Sequence, residues 1–269
     1  MNCARRLNWT VLVLLCAGSV SAVAADPDAT STGGGWGCVS GQMVYGGDLK
    51  DPALKSYQED VKIYEPTGIK DNIRGVVPRV IAKVPNESLL IDPKTRGIKN
   101  VFVFLKRTPQ RVHPSLAARA HKPVEVAMRG HRFVPHALTI SVGQTVRMLS
   151  PEGAADFNGT KIYNSAFNVL ATPDKPAEWT PKKAERAPAM VQSAIHPGSA
   201  SYWLVSDHPY ATLTKADGTF RLENLPEGEH ALGIWHEVFG YVKAKHVVTV
   251  GDGEIQELEP IRFKLGPPR

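Results

Sequence analysis

The chain has 269 residues, 42% of them hydrophobic and 22% charged, with a formal net charge of +6. That apolar content suits one or two packed domains and excludes a chain that is disordered throughout. The positive balance is mild, and no Lys/Arg cluster alternates with aromatic residues, so nucleic acid is not an expected partner.

At the N-terminus, Arg5 and Arg6 precede the apolar run Trp9 to Val20, and Ala22-Val23-Ala24 follows it. This pattern predicts a secretory signal peptide over residues 1–24, cut after Ala24 or Ala25, and a protein exported to the periplasm or the cell exterior. The run is too short to cross a bilayer comfortably. Leu15 stands before Cys16, where a lipoprotein signal needs a small residue, so no lipid anchor is expected either. No later run is long enough for a membrane span after cleavage. Loss of Arg5 and Arg6 lowers the formal charge from +6 by those two arginines. Cys3 and Cys16 leave with the signal, so Cys38 is the remaining cysteine and no intrachain disulfide can form. Its phrase, Gly37-Cys38-Val39, predicts a buried, inert thiol.

Residues 25–35 are small, polar and Gly-rich, as in a flexible leader. Trp36 to Tyr45 reads as a strand ending at the turn Gly46-Gly47-Asp48. The segment 50–98 has too little periodicity to assign. Asn100 to Lys106, NVFVFLK, is the next strand, and the alanines of Pro114 to His121 suit a short helical turn. Val124 to Met128 is a strand; Leu138, Ile140 and Val142 alternate with polar residues; Thr145 to Leu149 returns after Gly143-Gln144. Beyond Tyr210, strands over 210–214, 220–223, 230–236, 245–250 and 255–265 are separated by Asp217-Gly218 and by Pro226 with Gly228. Short alternating strands with Gly/Pro turns make the chain all-β, of sandwich type.

Two phrases resemble the cupredoxins. FVPHALTISVGQTVRM, residues 133–148, is similar to their F-x-P-x-x-L-x-V-x-x-G-Q-x-V phrase, and MVQSAIHPGS, residues 190–199, is similar to their closing copper loop, V-x-C-x-I-H-P-W-M. The resemblance implies a Greek-key β-sandwich over residues 122–207. A blue-copper site takes a thiolate, two imidazoles and a weak axial thioether. Here Ser193 stands at the Cys position, Ser199 at the Met position and Asp156 at the first His position, leaving His196. The resemblance therefore implies a cupredoxin-like domain without its type 1 copper. Residual metal candidates are His131, His136, Asp156 and His196.

The flanks resemble a different module. T-x-x-D-G-x-F-x-x-x-x-L-P-x-G-x-x-x-L, a phrase of carboxypeptidase-regulatory-like (transthyretin-like, or prealbumin-like) sandwiches, is matched by Thr214 to Leu232, while WGCVSGQMVYGG and NVFVFLK look like that module's first two strands. The expected architecture has residues 36–121 and 208–269 forming one sandwich, with the cupredoxin-like sandwich inserted between them.

The expected function is an exported, non-enzymatic binding or structural role, with no cofactor and with a cell-envelope protein or polysaccharide as partner. One alternative is a copper-binding or electron-transfer protein with rearranged ligands. Another is a carbohydrate-binding module using Trp179, Tyr202, Trp203, Trp235 or Tyr241 to stack on sugars. Neither a G-x-S-x-G elbow nor an H-E-x-x-H helix is present, and the C-terminus lacks the Tyr-Arg-Gly-Ser ending of transthyretin-like hydrolases. Trp235 is read as core and His236 as a polar strand-end residue, its neighbour Glu237 facing away from it. Asp207 is expected to hold His208 by a hydrogen bond, in register between the two sandwiches.

Overall fold

The computed structural model describes residues 34–64, 79–120 and 122–266. The expected signal peptide, and the leader as far as residue 33, lie outside the described residues. In chain order the strands begin with β1 (Trp36–Tyr45), β2 (Val61–Tyr64), β3 (Val80–Val84), β4 (Phe102–Leu105), β5 (Val124–Arg129) and β6 (Arg132–Val134). They continue with β7 (Ala137–Ser141), β8 (Val146–Leu149), β9 (Ala155–Asn158), β10 (Asn168–Ala171), β11 (Ala177–Trp179), β12 (Ala189–Gln192) and β13 (Ala200–Ser206). The last are β14 (Ala211–Leu213), β15 (Thr219–Pro226), β16 (Gly228–His236), β17 (Gly240–Val250), β18 (Ile255–Glu257) and β19 (Ile261–Phe263). Among the described residues, two short α-helices, α1 (Lys55–Gln58) and α2 (Pro114–Ala120), sit in the connections.

β1 is the hub of one sheet, antiparallel to β15 on one side and parallel to β18 and β19 on the other. A second antiparallel sheet has the order β14-β4-β16-β17. Their side chains share one core, with Val39, Met43 and Tyr45 from β1 meeting Val103, Leu105, Leu222, Leu232, Ile234 and Val248. Strands from both ends of the sequence therefore bury the same core. Asp217-Gly218 forms the turn before β15, and Gly218 has φ +79°. A Cβ there would lie 2.3 Å from the Met43 carbonyl oxygen, so only glycine fits.

Residues 124–206 make a second pair of sheets, ordered β10-β9-β12-β13-β7 and β11-β8-β5-β6. Val126, Met128, Phe133, Ile140, Met148, Phe157 and Trp203 fill the space between them. Two parallel pairings, β5 with β8 and β7 with β13, close this sandwich in a cupredoxin-like arrangement.

β4 explains how the two sandwiches join. Its residues Phe102, Val103, Phe104 and Leu105 are all buried. Alternation sends Val103 and Leu105 into the first core, while Phe102 and Phe104 point the other way, against Ala137 and Leu204 of the second sandwich. β13 does the converse, with Trp203 inward and Tyr202 and Leu204 at the junction. A strand covered on both faces reads as an unbroken apolar run, and NVFVFLK does.

Candidate functional site

Asp156, Ser193, His196 and Ser199 converge at one end of the cupredoxin-like sandwich. Asp156 lies on β9; the other three occupy the loop between β12 and β13. A tight turn between Arg129 and Arg132 adds His131, since Gly130 (φ +52°) and His131 (φ +57°) both adopt the positive φ of a two-residue hairpin turn.

These groups bond to one another. The Asp156 carboxylate accepts hydrogen bonds from Ser193 Oγ at 2.6 Å, Ala194 N at 2.9 Å and Ile195 N at 2.9 Å. Ser193 Oγ in turn accepts from His196 N at 3.0 Å, and Ser199 Oγ donates to the His131 carbonyl at 2.6 Å. His131 and His196 face each other with Nδ1 atoms 3.0 Å apart. His196 Nε2 lies 3.3 Å from the Ala154 carbonyl, which can only accept, so Nε2 carries a proton. In the neutral ring Nδ1 is then the acceptor, and His131 Nδ1–H is the donor. Burial pushes the His196 pKa down, which favours this neutral form. For Asp156 burial acts upward, but donors from Ile195, Ser193 and Ala194 outweigh it and hold the carboxyl below its ordinary value.

Type 1 copper does not fit this donor set. These groups include no thiolate or thioether, and the Ser193 and Ser199 hydroxyls are engaged in hydrogen bonds. Among the described residues no group of three or more His, Cys, Asp or Glu is arranged to hold a metal ion.

β2 and β3 form a two-stranded hairpin lying over this end. A Cβ added to Gly198 would sit 3.4 Å from Val61 Cγ1 and 3.5 Å from Ile63 Cδ1, so the loop is in contact with the hairpin. The sequence left 50–98 unassigned and missed this cover, because β2 and β3 each bury a single residue and show little alternation.

His136, the fourth candidate, turns elsewhere. Its Nε2 lies 2.5 Å from Glu237 Oε1, in a pair with side chains only 11% and 12% exposed. Burial pushes the Glu237 carboxyl up, and His136 offsets part of that rise. The pair joins the two sandwiches and borders a 260 Å³ cavity that His131, Arg132, Glu87 and Ser199 also line. Arg132 pairs with Glu87 at 3.3 Å.

Three readings of the sequence are corrected here. His236 is buried and Trp235 half-buried, the reverse of expectation, because His236 shares strand parity with Leu232 and Ile234 while Trp235 faces the junction with Phe102 and Tyr202. Burial pushes the His236 pKa down to about 4. Glu237, expected to face away from His236, bonds His136. Ser206 Oγ, rather than Asp207, meets His208 Nδ1 at 3.1 Å, while His208 Nε2 donates to the Leu105 carbonyl at 3.1 Å, tying the second sandwich to β4. Cys38 is only half-buried and near Arg221, because Val39 takes the inward position on β1.

No protein-family model matches the sequence, and no curated protein matches it. Among solved structures, part of the chain is similar to a copper-containing nitrite reductase from Thermus scotoductus SA-01, at 22% identity and a TM-score of 0.29, covering 31% of this chain and 22% of that one. An oxidised mutant of amicyanin (15% identity, TM-score 0.28) matches over 31% of this chain and 82% of its own. A pseudoazurin from Hyphomicrobium denitrificans (17%, TM-score 0.25) matches over 31% and 75%. Likeness this partial carries no functional argument, and the sandwich assignment stands on the strand pairing. No helix among the described residues is long and apolar enough to cross a membrane.

Proposed function

We propose that this chain is an exported, non-enzymatic binding module in which a metal-free cupredoxin-like sandwich is inserted into a carboxypeptidase-regulatory-like sandwich. One observation carries the reading: the Asp156 carboxylate holds the 193–195 loop through three donors, so the ligand positions of a copper loop serve as structural hydrogen bonds. Such a network fixes the loop without metal, because a carboxylate accepting several N–H and O–H bonds is a strong local anchor. The shared core of β1, β4, β15 and β16 supports the inserted arrangement. A cell-envelope protein or polysaccharide is the partner that an exported module without a catalytic constellation would serve. The test is metal analysis of the purified mature chain, followed by Cu(II) titration. The reading requires no stoichiometric copper and no intense visible charge-transfer band.

Copper held by rearranged ligands is the second reading, favoured by the facing Nδ1 atoms of His131 and His196, where a cation would replace the shared proton. Stoichiometric Cu(II) binding that is lost in His196→Ala would select it.

A further inference from the structure

Two cavities, of 640 and 530 Å³, meet at Glu185 and Arg186 beside the junction of the two sandwiches. Each lies within the roughly 300–1,000 Å³ typical of ligand sites. The wall between them is pinned on several sides. Asn164 donates from its backbone N–H to Glu185 Oε1 at 2.6 Å and from its side chain to the Ala184 carbonyl at 2.7 Å. Glu185 N bonds the Val205 carbonyl at 2.8 Å, and Tyr241 OH donates to the Arg186 carbonyl at 2.5 Å. The groove is therefore preformed.

Its lining combines ring faces with positive charge. Tyr163 is 86% exposed at the rim, and half-buried Tyr202 forms the inner side. Exposed Lys161 and Arg186 line the larger cavity, and exposed Lys106 and Arg107 the smaller. Against them stand Glu185, whose carboxylate is already committed to Asn164, and Asp207. Lys106 Nζ lies 4.7 Å from the centroid of Tyr241, which extends the aromatic edge.

We infer that this groove binds an anionic polysaccharide, with pyranose rings stacked on Tyr163 and Tyr202 and ring carboxylates paired with Lys161, Arg186 and Lys106. The inference deepens the binding-module reading and rests on it. Aromatic faces beside charged and amide groups suit a ligand with apolar ring faces and polar edges. β4 and β13 are each paired on both sides and offer an added peptide strand no open backbone edge.

The experiment is calorimetric titration of the mature full-length chain with hexagalacturonate, cellohexaose and hexaglutamate, at low and high salt. Expected is binding of hexagalacturonate in preference to both controls, weakened by salt. Tyr163→Ala, at an exposed position that leaves the fold intact, should weaken it roughly tenfold. Lys161→Ala with Arg186→Ala should weaken it by at least about tenfold and flatten its salt dependence. No binding of hexagalacturonate, equal binding of hexaglutamate, or an unchanged Tyr163→Ala variant would overturn the inference. The metal assay separates the two failures: a copper-free chain without glycan affinity rejects the groove alone, whereas an intense copper band rejects the metal-free reading beneath it.

Discussion

Asp156 anchors the 193–195 loop through three donors. Because hydrogen bonds to a charged group contribute roughly 1.5–3 kcal/mol, Asp156→Asn should lower stability at pH 7 by about 1–3 kcal/mol in urea denaturation. Its pKa is depressed in the fold, so the stabilisation is present above the unfolded value of about 3.9 and is lost as pH falls through the folded value. The Asn variant should therefore show a flatter acid limb than the parent. His236 gives a second pH dependence of the same sign. With a folded pKa of about 4 against 6.5, it favours the fold above pH 6.5 and loses that contribution as pH falls towards 4, a change of roughly 3 kcal/mol. Burial also depresses His196 and His208, which add in the same direction. His236→Leu should remove the largest part of the decline between pH 6.5 and 4, read from urea midpoints at each pH. At this scale the grouping of Asp156, Ser193 and His196 was legible, and the structure brings them into one hydrogen-bond network. The His136–Glu237 pair was not, because its members are 101 residues apart and belong to different sandwiches. Of the five aromatics named as sugar-stacking candidates, Trp203 is fully buried, Trp179 packs beside it, Tyr202 and Trp235 face the junction, and Tyr241 is exposed. Tyr163 was missed because a lone Tyr in a loop carries no periodic signal.

Among the elements, β4 and β13 carry the connection between sandwiches. Phe102 is fully buried at the junction and edge-on to Trp235, so Phe102→Ala should cost about 3–5 kcal/mol. Tyr163→Ala, on an exposed loop, should stay within about 0.5 kcal/mol of the parent in the same urea experiment. Strands with clear alternation or unbroken apolar runs, such as β4, β7 and β16, were readable from the sequence. Parity along β16 was misassigned because Trp235 is the larger apolar side chain, yet the inward positions are those of Leu232, Ile234 and His236. The hairpin β2–β3 escaped because its burial comes from covering the 193–199 loop rather than from an apolar face of its own.

In the whole molecule the two sandwiches share a third cluster, Phe102, Phe104, Ala137 and Leu204, and His208 donates across the same junction. With this contact between them, heating should unfold both in one calorimetric transition; two well-separated transitions would show that the junction does not couple them. The proposed metal-free reading of this loop is tested most directly by introducing a type 1 copper ligand set. On the proposed reading, in which the loop keeps a copper loop's path, Asp156→His, Ser193→Cys and Ser199→Met together should place two imidazoles, a thiolate and a thioether around one point. On Cu(II) addition the triple variant should develop an intense thiolate-to-copper band that disappears when His196→Ala is added, while the unmodified chain stays without it. An intense band in the unmodified protein, or none in the triple variant despite a native-like fold, would contradict that description of the site.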